Sequence, residues 1–328
     1  MTDSKKNKNE ITDQAAVPQA PVNAGENIGV GTVVDRSAGS SGANENRQQS
    51  ESGPVASSIP VVEFDRVTKT YNAGEANAFT AIKDVSFVVD DIPDQGEFIG
   101  ILGPSGCGKS TILKLIAGLE PQHPATEGSV KVLGKEVTGP GADRGMVFQE
   151  YTSFDHRTVL DNITFGLECH GVPRKVREEL GRHWIEQVGL DVAADQYKYP
   201  HELSGGMRQR VAIARSLILR PRVILMDEPF GALDPQTRLN MQDLLVGLWK
   251  KVQATVFFVT HSIEEAVYLG DRVHVLSSSP GTIAREVQVE PPNRPAAEMQ
   301  REQKFQDTVY YLRDLIAAEE ALKQAGVE

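Results

Sequence analysis

The chain has 328 residues, with 34 Lys and Arg against 45 Asp and Glu (formal net charge −11), and two cysteines. That length supports a sizeable core and about two domains. Two cysteines, Cys107 and Cys169, cannot build a disulfide framework. No run of about 18 apolar residues offers a membrane span, and the acidic balance argues against a general nucleic-acid binder. Residues 1–10 are polar and lack an apolar signal core, which leaves the cytosol as the expected compartment.

Residues 1 to about 58 are dominated by Asn, Gln, Ser, Gly and Ala, and the first aromatic residue is Phe64. Such a segment buries too little apolar surface to offset its ordering entropy, so a disordered polar tail is predicted. From Pro60 the texture changes. Val61–Phe64 and Val85–Val89 read as strands with a loop over 72–77 between strand-like segments. Phe98-Ile99-Gly100-Ile101-Leu102 is a short apolar run, as expected of a strand buried on both faces. A glycine-rich turn follows, then a helical stretch from Lys109 to Ala117.

Residues from about 150 to 200 carry helical patterning (Val176 to Val188, with Leu180 and Trp184 four apart) and no clear buried strand, so they read as a helical insertion. Further buried-strand candidates are Val223–Met226 and Val256–Val259, separated by helix-like segments that include Thr237 to Val252. This alternation predicts an α/β core with a mostly parallel sheet. Arg272–Leu276 and Ile283–Val289 flank a Ser279-Pro280-Gly281 turn and read as a hairpin. Phe305, Val309, Leu312 and Ile316 recur at helical spacing and predict a docking helix near the end.

Gly103-Pro104-Ser105-Gly106-Cys107-Gly108-Lys109-Ser110 fits the phosphate-binding pattern G-x-x-x-x-G-K-S/T, directly after a strand and before a helix. The glycines let backbone N–H groups turn inward into an anion-binding concavity, and the helix adds the positive end of its dipole. Lys109 is expected to reach the β- and γ-phosphates and the Ser110 hydroxyl to ligate Mg²⁺, with Thr111 completing the contact run. Cys107 reads as a loop filler rather than a reactive thiol. Asp227 and Glu228 end an apolar strand, where adjacent acids are costly as decoration. Asp227 suits a Mg²⁺ partner, and Glu228 suits the orientation or deprotonation of a water. Leu203-Ser204-Gly205-Gly206-Met207 precedes a helical pattern containing Val211, Ala214 and Ile218. Ser204 is placed as an N-cap, and the segment reads either as a plain helix start or as a phosphate-binding helix N-terminus.

The phosphate loop at 103–110, Gln149, the 203–207 segment, the strand ending in Asp227-Glu228, Gly231-Ala232-Leu233-Asp234 and His261 occur in the order found in ATP-binding cassette (ABC) transporter ATPases. Over roughly residues 60–290 the chain resembles that family, and specifically its nitrate, taurine and aliphatic sulfonate importer branch. The branch likeness rests on Ser277–Ile283 followed by Val287-Gln288-Val289 and Pro291-Pro292, and on Asp161–Leu167. The resemblance implies a P-loop NTPase (RecA-like) core with an antiparallel β part and the helical insertion. It divides the chain into a tail (1–58), an ABC ATPase domain (59–290, insertion about 150–200) and a C-terminal helical extension (291–328). It further implies ATP and Mg²⁺, Gln149 on Mg²⁺ and the attacking water, Glu228 as catalytic base and His261 as γ-phosphate sensor. Tyr71 would stack on adenine. Leu203, Ser204, Gly205, Gly206, Met207 and Asp234 would act across a head-to-tail pair of subunits, on the nucleotide held by the other copy.

The implied partners are a second ATP-binding subunit, a membrane permease and, indirectly, a solute-binding protein, with no nucleic acid and with the subunit peripheral on the cytoplasmic face of the membrane. The rival readings are a soluble ABC ATPase acting on DNA or ribosomes, an importer for an unrelated solute, and a non-hydrolysing switch; the presence of both Glu228 and His261 argues against the last. Ser153–Arg157 departs from the Pro-Trp pair that relatives often carry beyond the glutamine, and 72–79 and 90–95 look longer than usual. His123, His156, His170, His183, His201 and His274 have no place in the pattern and are expected at the surface or in loops.

Overall fold

The computed structural model describes residues 59–92, 96–149 and 152–324. The tail expected over 1–58 lies outside the described residues. Residues from Ile59 onward cluster as one compact unit.

Its strands are β1 (Val62–Tyr71), β2 (Phe79–Val89), β3 (Phe98–Leu102), β4 (Glu127–Val132), β5 (Lys135–Glu136), β6 (Arg144–Val147), β7 (Val223–Asp227), β8 (Thr255–Val259), β9 (Arg272–Leu276) and β10 (Ile283–Gln288). The helices are α1 (Lys109–Ala117), α2 (Val159–Cys169), α3 (Arg174–Gln187), α4 (Val192–Asp195), α5 (Gly205–Leu217), α6 (Pro235–Val252), α7 (Ile263–Leu269), α8 (Ala296–Met299) and α9 (Gln303–Gln324).

Two sheets form. One is antiparallel, in the order β2-β1-β4-β5, and the other runs β10-β9-β3-β8-β7-β6. In the second, β9, β3, β8, β7 and β6 are parallel and only the edge strand β10 is antiparallel. All five residues of β3, of β7 and of β8 are buried, the consequence of lying between two neighbours with both faces covered. Helix α1 touches strands of both sheets. Its Ile112, Leu113, Leu115 and Ile116 join Phe64, Val67, Ile82, Ile101, Leu225 and Phe257 in one apolar core.

The described residues of the 150–200 stretch, from Thr152 on, are helical apart from their connections, with α2 packed on α3 and on α5. In α3 the buried side is Gly181, Trp184 and Ile185, whereas Leu180 is only half-buried. The hairpin β9–β10 and the closing helix α9 follow the sequence expectation; Phe305, Val309 and Leu312 are buried and Ile316 half-buried. His274 corrects it. The ring is 2% exposed, inside β9 between β10 and β3, edge-on to Phe87 at 5.3 Å and with Nε2 3.1 Å from Glu286 Oε2. It lies in a strand with covered faces, not at the surface or in a loop as expected. No described helix is long and apolar enough to cross a membrane.

Candidate functional site

Four neighbouring parallel strands, β3, β8, β7 and β6, each end in a loop that carries an expected functional residue. That is the position where open α/β sheets bind ligands, at the carboxyl ends of the strands.

After β3 the chain turns through Gly103–Gly108 into α1. Gly108 has φ +93°, and a Cβ there would lie 2.3 Å from Ile82 Cγ2, so both conformation and space require glycine. The loop is backed by the 277–283 segment: Gly281 N donates to Ala81 O at 2.9 Å, and a Cβ on Gly281 would strike the Cys107 carbonyl. Cys107 is fully buried, and burial pushes its thiol pKa up against the opposing pull of Lys109. Only its backbone is therefore available to a phosphate. Lys109, 5% exposed, donates from Nζ to the Gly103 and Pro104 carbonyls at 2.9 Å each. Ser110 Oγ donates to Asp227 Oδ1 at 2.9 Å, and Lys114 Nζ lies 3.9 Å from Asp227 Oδ2. Tyr71 is half-buried; its hydroxyl is 3.2 Å from Thr111 Oγ1, and Lys69 Nζ sits 5.5 Å from its ring centroid.

Between the two acids at the end of β7 the backbone changes conformation. In a continuing strand Asp227 and Glu228 would point to opposite faces. Glu228 instead adopts φ +48°, a left-handed conformation that costs a non-glycine residue on the order of 1–3 kcal/mol. It is held there by its N–H donating to Val259 O at 2.9 Å and its carbonyl accepting from Gly231 N at 3.2 Å. The carboxylate is thereby clamped from two loops. Gln149 Nε2 donates to Oε2 at 2.9 Å, and His261 Nε2 lies 2.7 Å from Oε1.

The 203–207 segment is built differently. Ser204 caps α5, its Oγ accepting from Met207 N at 3.3 Å, a contact worth about 1 kcal/mol. The N–H groups of Gly205 and Gly206 then belong to the first turn, which has no intrahelical acceptors. Four residues on, the buried Gln209 amide donates to the Pro229 carbonyl, tying α5 to the residue after Glu228. Asp234 caps α6 by accepting from Thr237 N at 3.1 Å; that bond and the Thr237 side chain hold its carboxyl below the usual aspartate range.

Residues 82–231 match the family described as ABC transporter. The chain is 53% identical over 229 residues to an uncharacterized ABC transporter ATP-binding protein of Methanocaldococcus jannaschii, covering 70% of this chain and 82% of that protein. It is 46% identical over 234 residues to the nitrate import ATP-binding protein NrtD of Synechocystis sp. (71% and 83% covered), and 46% identical over 223 residues to the taurine import ATP-binding protein TauB of Rhizobium johnstonii (68% and 82%). Among solved structures it resembles the ATP-binding cassette MJ0796, in a dimeric post-hydrolysis state bound to ADP and Pi, with TM-score 0.58 and 33% identity over 70% of this chain and 99% of that one. The chain belongs to the ABC transporter ATP-binding family. It is an ATPase with the P-loop NTPase fold.

Within this cassette, the structure pairs Ser110 with Asp227, joins Gln149 and His261 on the adjacent Glu228, and rests Lys109 on the loop carbonyls. It gives Ser204 and Asp234 helix-capping bonds of their own. Sequence reasoning missed several supporting groups. Asn162 is fully buried and fixes the divergent 153–157 stretch, accepting from Phe154 N at 2.8 Å and donating to the Phe154 and Arg157 carbonyls. That places Arg157 over the Phe165 ring at 4.9 Å. Thr260, Glu265 and Arg238 were also not singled out; they meet only through contacts between β8, α6 and α7.

Proposed function

We propose that this cassette energises import of a small anion of the nitrate, taurine or aliphatic sulfonate type through a separate permease, working as a head-to-tail pair on the cytoplasmic face of the membrane. The observation that carries the reading is the Glu228 carboxylate, 20% exposed at its side chain and clamped between Gln149 and His261, directly after the Asp227 that holds Ser110 of the phosphate loop. A base so fixed needs no reorganisation before it takes a proton from an attacking water. Lys109, on the loop's own carbonyls, is one swing away from β- and γ-phosphate oxygens, and His261 senses the γ-phosphate through the same clamp. Tyr71, supported by Lys69 and Thr111, stacks on adenine, while the backbone of Gly103, Pro104, Ser105, Gly106, Cys107 and Gly108 cradles the phosphates.

Mg²⁺ fits this donor set: a hydroxyl and a carboxylate 2.9 Å apart, Ser110 and Asp227, offer the hard oxygens it prefers, with Gln149 beside them. When bound, it neutralises charge on the phosphates. Leu203, Ser204, Gly205, Gly206 and Met207 present a helix N-terminus to the nucleotide held by the other copy, and Asp234 links the two copies. The dimeric state of MJ0796 with ADP and Pi supports this pairing. The anion class is supported by the likeness to NrtD and TauB. We assign residues 1–58 to a tail, 59–290 to the ATPase domain with its insertion at about 150–200 facing the permease, and 291–328 to a helical extension.

The test is Glu228→Gln, which keeps the side chain's size and removes the base. Turnover is expected to fall by about 10²–10⁴, while the variant retains MgATP and runs as a dimer in size-exclusion chromatography with light scattering. Undiminished hydrolysis overturns the base assignment, and a monomer with bound MgATP overturns the pairing. For the solute, the ATPase reconstituted with its permease should be stimulated by a binding protein loaded with nitrate, taurine or an alkanesulfonate; stimulation by none of them removes the anion class.

A further inference from the structure

Behind His261 lies a buried polar chain that the proposed mechanism does not use. Thr260, 3% exposed, donates its hydroxyl to Glu265 Oε2 and accepts from Ser262 N at 3.0 Å, so it braces both sides of His261. Glu265 is 4% exposed. Its other oxygen lies 3.5 Å from Arg238 Nε, and Arg238 Nη2 donates to the Leu233 carbonyl at 3.0 Å, immediately before Asp234. Burial pushes the Glu265 carboxyl pKa up, against the Thr260 hydrogen bond and the Arg238 charge.

A buried ion pair is weak support for stability, because desolvation offsets most of the attraction. Such groups do fix geometry, and here the two ends are of unequal kind: one is the loop that carries the γ-phosphate sensor, the other the loop proposed to meet the second copy. We propose that Glu265 is a positioning residue that links His261 to the Leu233–Asp234 turn, so that the state of the γ-phosphate and the presentation of Asp234 to the second copy change together. This rests on the reading of His261 and Asp234 given above.

Glu265→Gln keeps shape and an acceptor for Thr260 but loses the charge facing Arg238. Its kcat for ATP is expected to fall about tenfold with KM within about twofold, and its unfolding midpoint to stay near wild type, a split that a merely structural role does not produce. Thr260→Val is expected to lower kcat similarly, and Thr260→Val with Glu265→Gln to be no worse than the stronger single variant. In the Glu228→Gln background, Glu265→Gln should weaken the MgATP-dependent dimer about tenfold. Unchanged kcat in both folded single variants, or losses that multiply, overturn the link. If Glu265→Gln does not fold, Thr260→Val and Arg238→Lys carry the same kcat and dimer tests. His261→Ala separates the two failures: if it retains turnover, the site reading itself is wrong, whereas an inactive His261→Ala beside a normal Glu265→Gln removes only the proposed link.

Discussion

The phosphate loop and the 203–207 segment both place backbone N–H groups at the start of a helix, yet they are finished to different degrees. Around the phosphate loop every key side chain already has a partner: Lys109 on two carbonyls, Ser110 on Asp227, Glu228 between Gln149 and His261. At the start of α5, Ser204 uses its hydroxyl on the helix itself, and nothing lies within 4 Å of a Cβ built on Gly205. On the proposed function, the first half is a preorganised reaction centre and the second a donor surface for the nucleotide of the other copy. The contrast teaches that each nucleotide would be shared by two helix N-termini from two cassettes, one gripping and one reporting.

The largest expected effect breaks the finished half. Lys109→Ala removes the cation placed on the loop carbonyls, and ATP turnover should become undetectable, with nucleotide affinity reduced at least about a hundredfold, the scale of a lost charge-assisted contact to phosphate. Isothermal titration and a phosphate-release assay read both; normal values for either quantity contradict the phosphate-loop assignment.

A sharper test uses the unfinished half. Gly205→Asp meets open space and puts a negative charge at a helix N-terminus, where it favours the helix by a few tenths to about 1 kcal/mol. The variant should therefore fold as well as wild type and still lose turnover, since the same charge repels a γ-phosphate. Mixing it with Lys109→Ala then discriminates: a mixed pair contains one site with an intact phosphate loop from one chain and an intact 203–207 segment from the other. Recovery of hydrolysis on mixing two inactive proteins is expected. No recovery means that each chain completes its own site.

The same asymmetry explains what could be read in advance. The β3–loop–α1 unit was legible because an apolar run, a glycine pattern and a lysine act locally, and Ser204 was legible as a cap because capping is local too. Strand β6 was not singled out: in Arg144-Gly145-Met146-Val147 only Val147 is deeply buried, and the segment is a strand because it pairs with β7. No residue type announces the left-handed Glu228, whose conformation is imposed by Val259 and Gly231 from outside the motif. Glu265 and Arg238 lie on different helices, and only the packing of α7 against α6 makes them partners. Order within a segment was visible; closure between segments was not.

The smallest effect concerns the frame that carries both halves. Burial lowers the His274 pKa from 6.5 to about 4, partly opposed by the Glu286 carboxylate. Between those values the unfolded chain binds a proton that the folded chain refuses, so stability rises with pH across this window and is lost as pH falls from about 6.5 toward 4, with a limiting slope of about 1.4 kcal/mol per pH unit. Glu286 titrates in the same direction but lower, because the Arg272 hydrogen bond and the nearby charges outweigh its desolvation and keep its carboxyl below the ordinary 4.5. His274→Gln should therefore flatten the stability profile above pH 4.5 and leave the acid limb below it, measured by denaturant unfolding at a series of pH values. Because His274 sits in β9, away from the Glu228 clamp, the slope above pH 4.5 should be the same for the wild-type chain and for Glu228→Gln without nucleotide. A slope that changes with the clamp would mean that frame and reaction centre titrate as one unit, and the division between a rigid half and a reporting half would then have to be redrawn to include the sheet edge.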